Sequence, residues 1–142
     1  MAYQVDYDIE IPYRTLPDLP GLSPALEVTL YLSGKQARAV GILDSGSPFT
    51  VFKNELATQL GITDISVGAL STLRSAGGPF AIYLFDIELA VHAGATQRRL
   101  SGQVGFAAGQ LPRNILGLNL VFQQFQIGFR DAQQRLYLLS ES

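Results

Sequence analysis

Ile42-Leu43-Asp44-Ser45-Gly46-Ser47-Pro48-Phe49-Thr50-Val51-Phe52 sets one carboxylate in a tight Asp-Ser-Gly turn between two apolar segments. Apolar strands on both sides imply that Asp44 is partly buried, and burial disfavours the charged form of an acid. An acid in such a place is costly unless something uses it. Ser45 brings a hydroxyl donor, and Gly46 lets a second backbone or a substrate come close. A turn of this make can hold a carboxylate that activates water. The same three residues also build an ordinary Asx turn in a hairpin. The tripeptide therefore takes its meaning from its surroundings.

Upstream, Leu26 to Leu32 and Ala37 to Leu43 flank Ser33-Gly34-Lys35-Gln36, a hairpin signal whose second strand delivers Asp44. Downstream, Lys53 to Leu60 reads as a short helix, with Leu56 and Leu60 on one face and Gly61 as its stop. Ala69 to Arg74 and Phe80 to Val91 read as strands bracketing a Gly-rich tip. In the second of them Tyr83, Phe85, Ile87 and Leu89 alternate with Leu84, Asp86, Glu88 and Ala90, so Asp86 and Glu88 are expected to face outward. His92 ends that strand, and with no Ser or Cys nucleophile signature beside it an exposed strand-end histidine is expected. Arg98 to Phe106 reads as a further strand and Leu118 to Phe125 as a short helix. Phe125 to Phe129 and Arg135 to Leu139 form a last pair around Asp131-Ala132-Gln133-Gln134.

At the N-terminus Val5, Tyr7, Ile9 and Ile11 alternate with Asp6, Asp8 and Glu10, the pattern of a half-buried strand. Its three acids are expected to form a solvated face, because no Gly-bearing calcium loop accompanies them. Arg14 to Pro24 carries Pro17, Pro20, Gly21 and Pro24 and reads as an irregular connector. Residues 1–142 are expected to form a single domain, with a strand and connector over 1–25 and a core over 26–139. Apolar residues at 47% against 15% charged place the chain among folded globular proteins and not disordered ones. Many short strands punctuated by Gly and Pro predict an all-β barrel or sandwich with one or two short helices.

A net charge of -2, with no cationic cluster larger than Arg98-Arg99, gives no footprint for nucleic acid. Cysteine is absent, which excludes disulfides, thiol catalysis and cysteine-based zinc sites. One histidine excludes a His-rich metal site. No apolar signal core and no run of membrane-spanning length occur, so a cytoplasmic protein without membrane contact is expected.

Three segments together resemble the retropepsins, the retroviral-type aspartic proteases. Ile42 to Val51 matches the strand entering an Asp-Thr/Ser-Gly triplet, and Thr72 to Phe80 matches a Gly-rich flap hairpin. Asn114-Ile115-Leu116-Gly117-Leu118-Asn119-Leu120 matches the apolar-apolar-Gly segment that opens a short helix. Order and spacing agree, and the resemblance spans about Leu26 to Leu139. The passages through Gly46 and Gly117 also form a faint internal repeat, and only the first carries the acid.

The resemblance implies an all-β, retropepsin-like closed barrel with one or two short helices and one aspartic-protease half per chain. It implies that Asp44 is catalytic and that its partner acid comes from a second copy, making a homodimer without metal or organic cofactor. Ser45 would donate across the axis, and Gly46 would leave room for the substrate backbone. Ser75, Ala76, Gly77, Gly78 and Pro79 would form the flap over an extended polypeptide with apolar side chains near the cleaved bond. Ile115, Leu116 and Gly117 would pack behind the catalytic loop.

Two positions depart from the family pattern. Many retroviral members pair an Asp with an Arg where this chain has Pro48 and Leu118. Both charges are missing together, so neither is left unpaired. Bracing of a dimer would then fall to Pro48-Phe49 packing or to the terminal strands, Tyr3 to Ile11 and Arg135 to Leu139. The longer N-terminal segment would add interface or occupy the cleft as a pro-segment. The alternative function is a non-catalytic retropepsin-fold module for dimerisation or peptide binding. The intact Asp-Ser-Gly favours the enzyme, and the missing Asp/Arg pair favours the module. A lipocalin-like barrel leaves both Gly-centred motifs unexplained.

Overall fold

The chain enters on β1 (Ile9–Pro12) and folds at once into a small hairpin, β2 (Arg14–Leu16) with β3 (Leu19–Ser23). The computed structural model describes residues 4–140, Ser140 by its backbone alone. Tyr3 of the expected first strand therefore lies outside the described residues. Val5 and Tyr7 keep the half-buried positions of an alternating strand against exposed Asp6 and Asp8, but ladder pairing begins only at Ile9. The expected irregular connector is instead the β2–β3 hairpin. A register shift between Thr15 and Leu16 takes up Pro20 and Gly21 as a bulge, where a missing N–H does no harm.

Then follow β4 (Ala25–Leu32), β5 (Lys35–Leu43), β6 (Val51–Phe52), α1 (Asn54–Gln59), β7 (Ala69–Ser75), β8 (Gly78–Ala93) and β9 (Thr96–Ala107). The chain ends with β10 (Asn114–Leu116), α2 (Val121–Gln124), β11 (Phe125–Arg130) and β12 (Arg135–Ser140). Strands are hydrogen-bonded in the order β4-β5-β10-β6-β9-β8, and β8 returns to β4 from Glu27↔His92 to Tyr31↔Glu88. The ladder thus closes on itself as an all-β ring with two short helices. Closure leaves no open edge among the ring strands.

β8 is long enough to serve two neighbours on one edge. Its first half, Gly78 to Leu84, pairs with β7, which stands outside the ring, and its second half pairs with β4. The buried face switches with the neighbour. Ile87, Leu89 and Val91 fill the main core, whereas Ile82, with Phe80 and Leu84 packed beside it, joins a second cluster around Val51, Leu73 and Ala107. The expected single alternation through Tyr83 therefore fails at the lower half of the strand. Asp86 is exposed as expected, and Glu88 meets Arg99 at 3.1 Å on the outer face. His92 is not an exposed strand-end residue. It is half-buried, with Nε2 2.7 Å from Thr29 Oγ1, because β4 pairs alongside and covers it.

The main core gathers Leu26, Val28 and Leu30 from β4, with Phe52, Phe106 and Leu116, all essentially without exposure. Phe106 meets Phe85 edge-on at 5.7 Å. Each such side chain contributes about 1.5–3 kcal/mol on burial. Leu56 and Leu60 of the α1 segment pack on the same cluster.

The terminal strands form a separate sheet in the order β1-β12-β11, with Leu136 and Leu138 buried in the core. β12 is thus the middle strand. Arg135 to Leu138 is paired on both sides within its own chain, Leu139 only with β11, and the outer sides of β1 and β11 are the edges of this sheet. Among the described residues no helix is long and apolar enough to cross a membrane.

Candidate active site

β5 carries the chain up to Asp44, and β10 runs parallel beside it with Ile115 level with Ile42 and Leu116 level with Leu43. The ladder ends on a bond from Asp44 N–H to Leu116 O at 3.0 Å. Past it the chain turns sharply. Ser47 N–H donates to Asp44 O at 3.2 Å, and Gly46 N–H donates to the Asp44 carboxylate at Oδ1, 2.9 Å. The Asx turn is thus present, and it fixes one carboxylate oxygen against the backbone.

Asp44, Ser45 and Gly46 are all exposed in this chain. The expected partial burial of Asp44 does not occur, because the turn rises past the last ladder residue and only Leu43 beneath it enters the core. The Ser45 hydroxyl has no hydrogen-bond partner among the described residues.

Behind the turn, the loop and the segment after β10 are joined into one body. Leu118 N–H donates to Ser47 O at 2.8 Å and Asn119 N–H to Pro48 O at 3.3 Å. Thr50, fully buried, receives Gly117 N–H on its Oγ1 at 3.2 Å and donates that hydroxyl to Asn119 O at 3.0 Å. Thr50 N–H in turn reaches Asn119 Oδ1 at 2.6 Å, and Asn119 Nδ2 reaches Gln103 O at 2.6 Å. Gly117 has no room for a side chain, since a Cβ there would stand 2.1 Å from Phe49 O.

Sequence reasoning named Gly117 but missed Thr50 and Asn119. Their signal was a single polar residue inside each of two apolar runs, Phe49-Thr50-Val51 and Leu118-Asn119-Leu120, since a buried polar group requires a partner. Pro48 and Leu118, where the family pattern has its charge pair, are both exposed.

Thr50→Val is expected to lower stability by about 1–3 kcal/mol, because it strands the buried Gly117 N–H and removes the donor to Asn119 O. Thr50→Ser should retain most of it. Urea denaturation midpoints check the pair, and equal losses for both would show that the hydroxyl is not the tie.

A cleft of about 460 Å³ opens in front of the turn. Asp44, Gly46 and Ile115 line one side, and the β7–β8 tip lines the other with Ser75, Ala76, Gly77, Gly78 and Pro79. Leu73, Phe80 and Leu111 supply apolar wall. Ser75 Oγ donates to Gly78 O at 2.9 Å across the tip, and Gly78 takes a φ of +109°, which an L side chain rarely adopts. Ser45, Leu116 and Gly117 lie outside the cleft wall. No residue before Asp44 lines it, so the described part of the N-terminal segment does not occupy it. The chain therefore brings one carboxylate, a Gly-rich hairpin and apolar walls to one cavity.

No family model and no curated protein matches the sequence. Among solved structures the chain is similar to a retropepsin-like aspartic protease from Rickettsia conorii. Identity is 17%, the alignment covers 91% of this chain and 98% of that one, and the TM-score is 0.59. The likeness is one of fold, and by it the barrel described above is retropepsin-like.

Proposed function

We propose that the chain is an aspartic endopeptidase that works as a homodimer, with Asp44 of each copy at the two-fold axis. The observation that carries this reading is the joint presence of Asp44 and the Gly-rich hairpin tip on one cleft of a retropepsin-like fold. Two carboxylates held close cannot both ionise, so the pair shares one proton. The ionised member takes a proton from water as its oxygen bonds to the peptide carbonyl carbon. The protonated member gives its proton to the carbonyl oxygen. As the tetrahedral adduct collapses, a hydroxyl returns its proton to the second carboxylate and re-forms C=O, the C–N bond breaks, and the amine nitrogen leaves with the proton the first carboxylate took from water.

Several features of the single chain agree with an incomplete site. The exposed turn is the surface that a second copy would cover, and the unpartnered Ser45 hydroxyl is free to donate to it. Leu73, Phe80 and Leu111 suit apolar substrate side chains. One observation favours the non-catalytic module instead: Pro48 and Leu118 leave the loop without an ion-pair brace. Turnover of a peptide library across a range of chain concentrations separates the two readings. Rate per chain should rise with concentration and level off as sedimentation shows dimer forming. Full activity from a strict monomer would overturn the shared site, and no cleavage by a proven dimer would leave the module.

The hairpin tip is proposed to act as the flap, closing on the peptide and excluding water. Backbone amides over 75–80 should exchange quickly in the free protein and slowly when a peptide-like inhibitor binds. Alanine at Gly78 is a poorer probe, since its positive φ adds strain of its own. Unchanged exchange with inhibitor bound elsewhere would remove the flap assignment.

A further inference from the structure

A second cavity of about 260 Å³ adjoins the cleft and shares Pro112 and Arg113 with it. Three cationic residues from distant parts of the chain line it: Arg14 of β2, Lys53 just before α1, and Arg113 just before β10. Arg113 is held in place, its Nε 2.7 Å and its Nη2 2.6 Å from Asp18 Oδ2 at the turn of the β2–β3 hairpin. Arg14 and Lys53 have no side-chain hydrogen bond or ion pair among the described residues. Three cations thus stand against a single acid, in a chain with 10 basic and 12 acidic residues overall. Positive charge concentrated against the average of the molecule, around a concave surface, attracts carboxylates.

The position of this groove ties it to the cleft. Asn114 is level with Gly41 in the parallel ladder, and its Nδ2 donates to Val40 O at 3.2 Å. Val40, which lines the groove, stands on β5 four residues before Asp44, roughly 13 Å along the strand. An extended peptide covers that span in about four residues.

We propose that this groove receives an acidic side chain of the same polypeptide that occupies the cleft, about four residues from the cleaved bond. The proposal rests on the endopeptidase reading for its geometry. In a homodimer the groove occurs at both ends of the cleft, so an acid on either side of the bond is accepted. Arg113, fixed by Asp18, marks the junction, while Arg14 and Lys53 supply the free charges.

The test uses acetylated, amidated peptides in pairs that differ only by Glu or Gln at each position outward from the cleaved bond. Wild type should cleave the Glu member of the best pair about tenfold faster in kcat/KM, through KM, with the advantage shrinking as salt rises. Arg14→Gln with Lys53→Gln leaves the Asp18–Arg113 pair intact and should bring the ratio to about one, with an unchanged urea midpoint. Cleavage without Glu preference, or a preference that the double variant retains, overturns the groove and leaves the protease reading standing. If no peptide is cleaved, fluorescence anisotropy with the same peptides decides. Glu-dependent binding lost in the double variant upholds the groove and removes the endopeptidase, and absence of binding overturns both. A short RNA that binds through Arg14 and Lys53 while Glu peptides do not would overturn the acidic-peptide assignment.

Discussion

Asp44→Asn is expected to abolish peptide hydrolysis, with a fall of roughly 10³-fold or more, since general acid–base catalysis by one group supplies about 10²–10⁴-fold and here both members of the pair are lost. Asparagine keeps the shape of aspartate and an oxygen that accepts the Gly46 N–H, and the site is exposed, so stability should hardly change. Circular dichroism and urea unfolding provide that control. A sharper consequence follows from one acid per chain. A large excess of the asparagine chain, mixed with wild type, should drain wild-type activity as mixed dimers form. Residual activity equal to wild type, or mixing without effect when exchange of chains is proven, would remove Asp44 from the chemistry.

Gly117→Ala should be the most damaging single methyl in the molecule. Its Cβ would stand 2.1 Å from Phe49 O and 2.6 Å from both Phe49 C and Ser47 O. These are backbone atoms of the Asp44 loop, so relief requires moving the loop itself. A loss of about 3 kcal/mol or more in urea denaturation is expected, at the upper end for overpacking, together with lost turnover. Gly109→Ala is the matched control, since an added Cβ there meets nothing within 4 Å and should stay within about 0.5 kcal/mol of wild type. Equal stabilities for the two variants would contradict the close approach of β10 to the loop.

Much of the fold was legible where local chemistry fixes it. The Ser33–Gly34 turn and the alternation beyond it define β4 and β5, and the Asp44 and Gly117 passages are short, apolar and punctuated by glycine. What escaped depends on partners remote in sequence. The β2–β3 hairpin read as a break because Pro17, Pro20 and Gly21 are strand-poor residues, yet a bulge accommodates two of them. β8 changes its buried face midway because β7 and β4 succeed each other along one edge, and no single period describes that. Burial of Asp44 was inferred from its flanks, but a turn beyond the last ladder bond follows the surface and not the strands. Arg14, Lys53 and Arg113 have no linear pattern at all; only the seating of the β2–β3 hairpin against the ring, through Asp18 and Arg113, brings them to one cavity.

The terminal sheet has a practical consequence for interference with the protein. β12 is flanked by β1 and β11 of its own chain from Arg135 to Leu138, so a strand-shaped peptide copied from a chain end finds no open edge there to invade. The edges that sheet does offer are the outer sides of β1 and β11, and an agent meant to block the proposed pairing of copies has those edges and the exposed turn at Asp44 to Gly46 to address. The core is filled from the one chain, so keeping a second copy away would leave the barrel folded and remove only the proposed shared site.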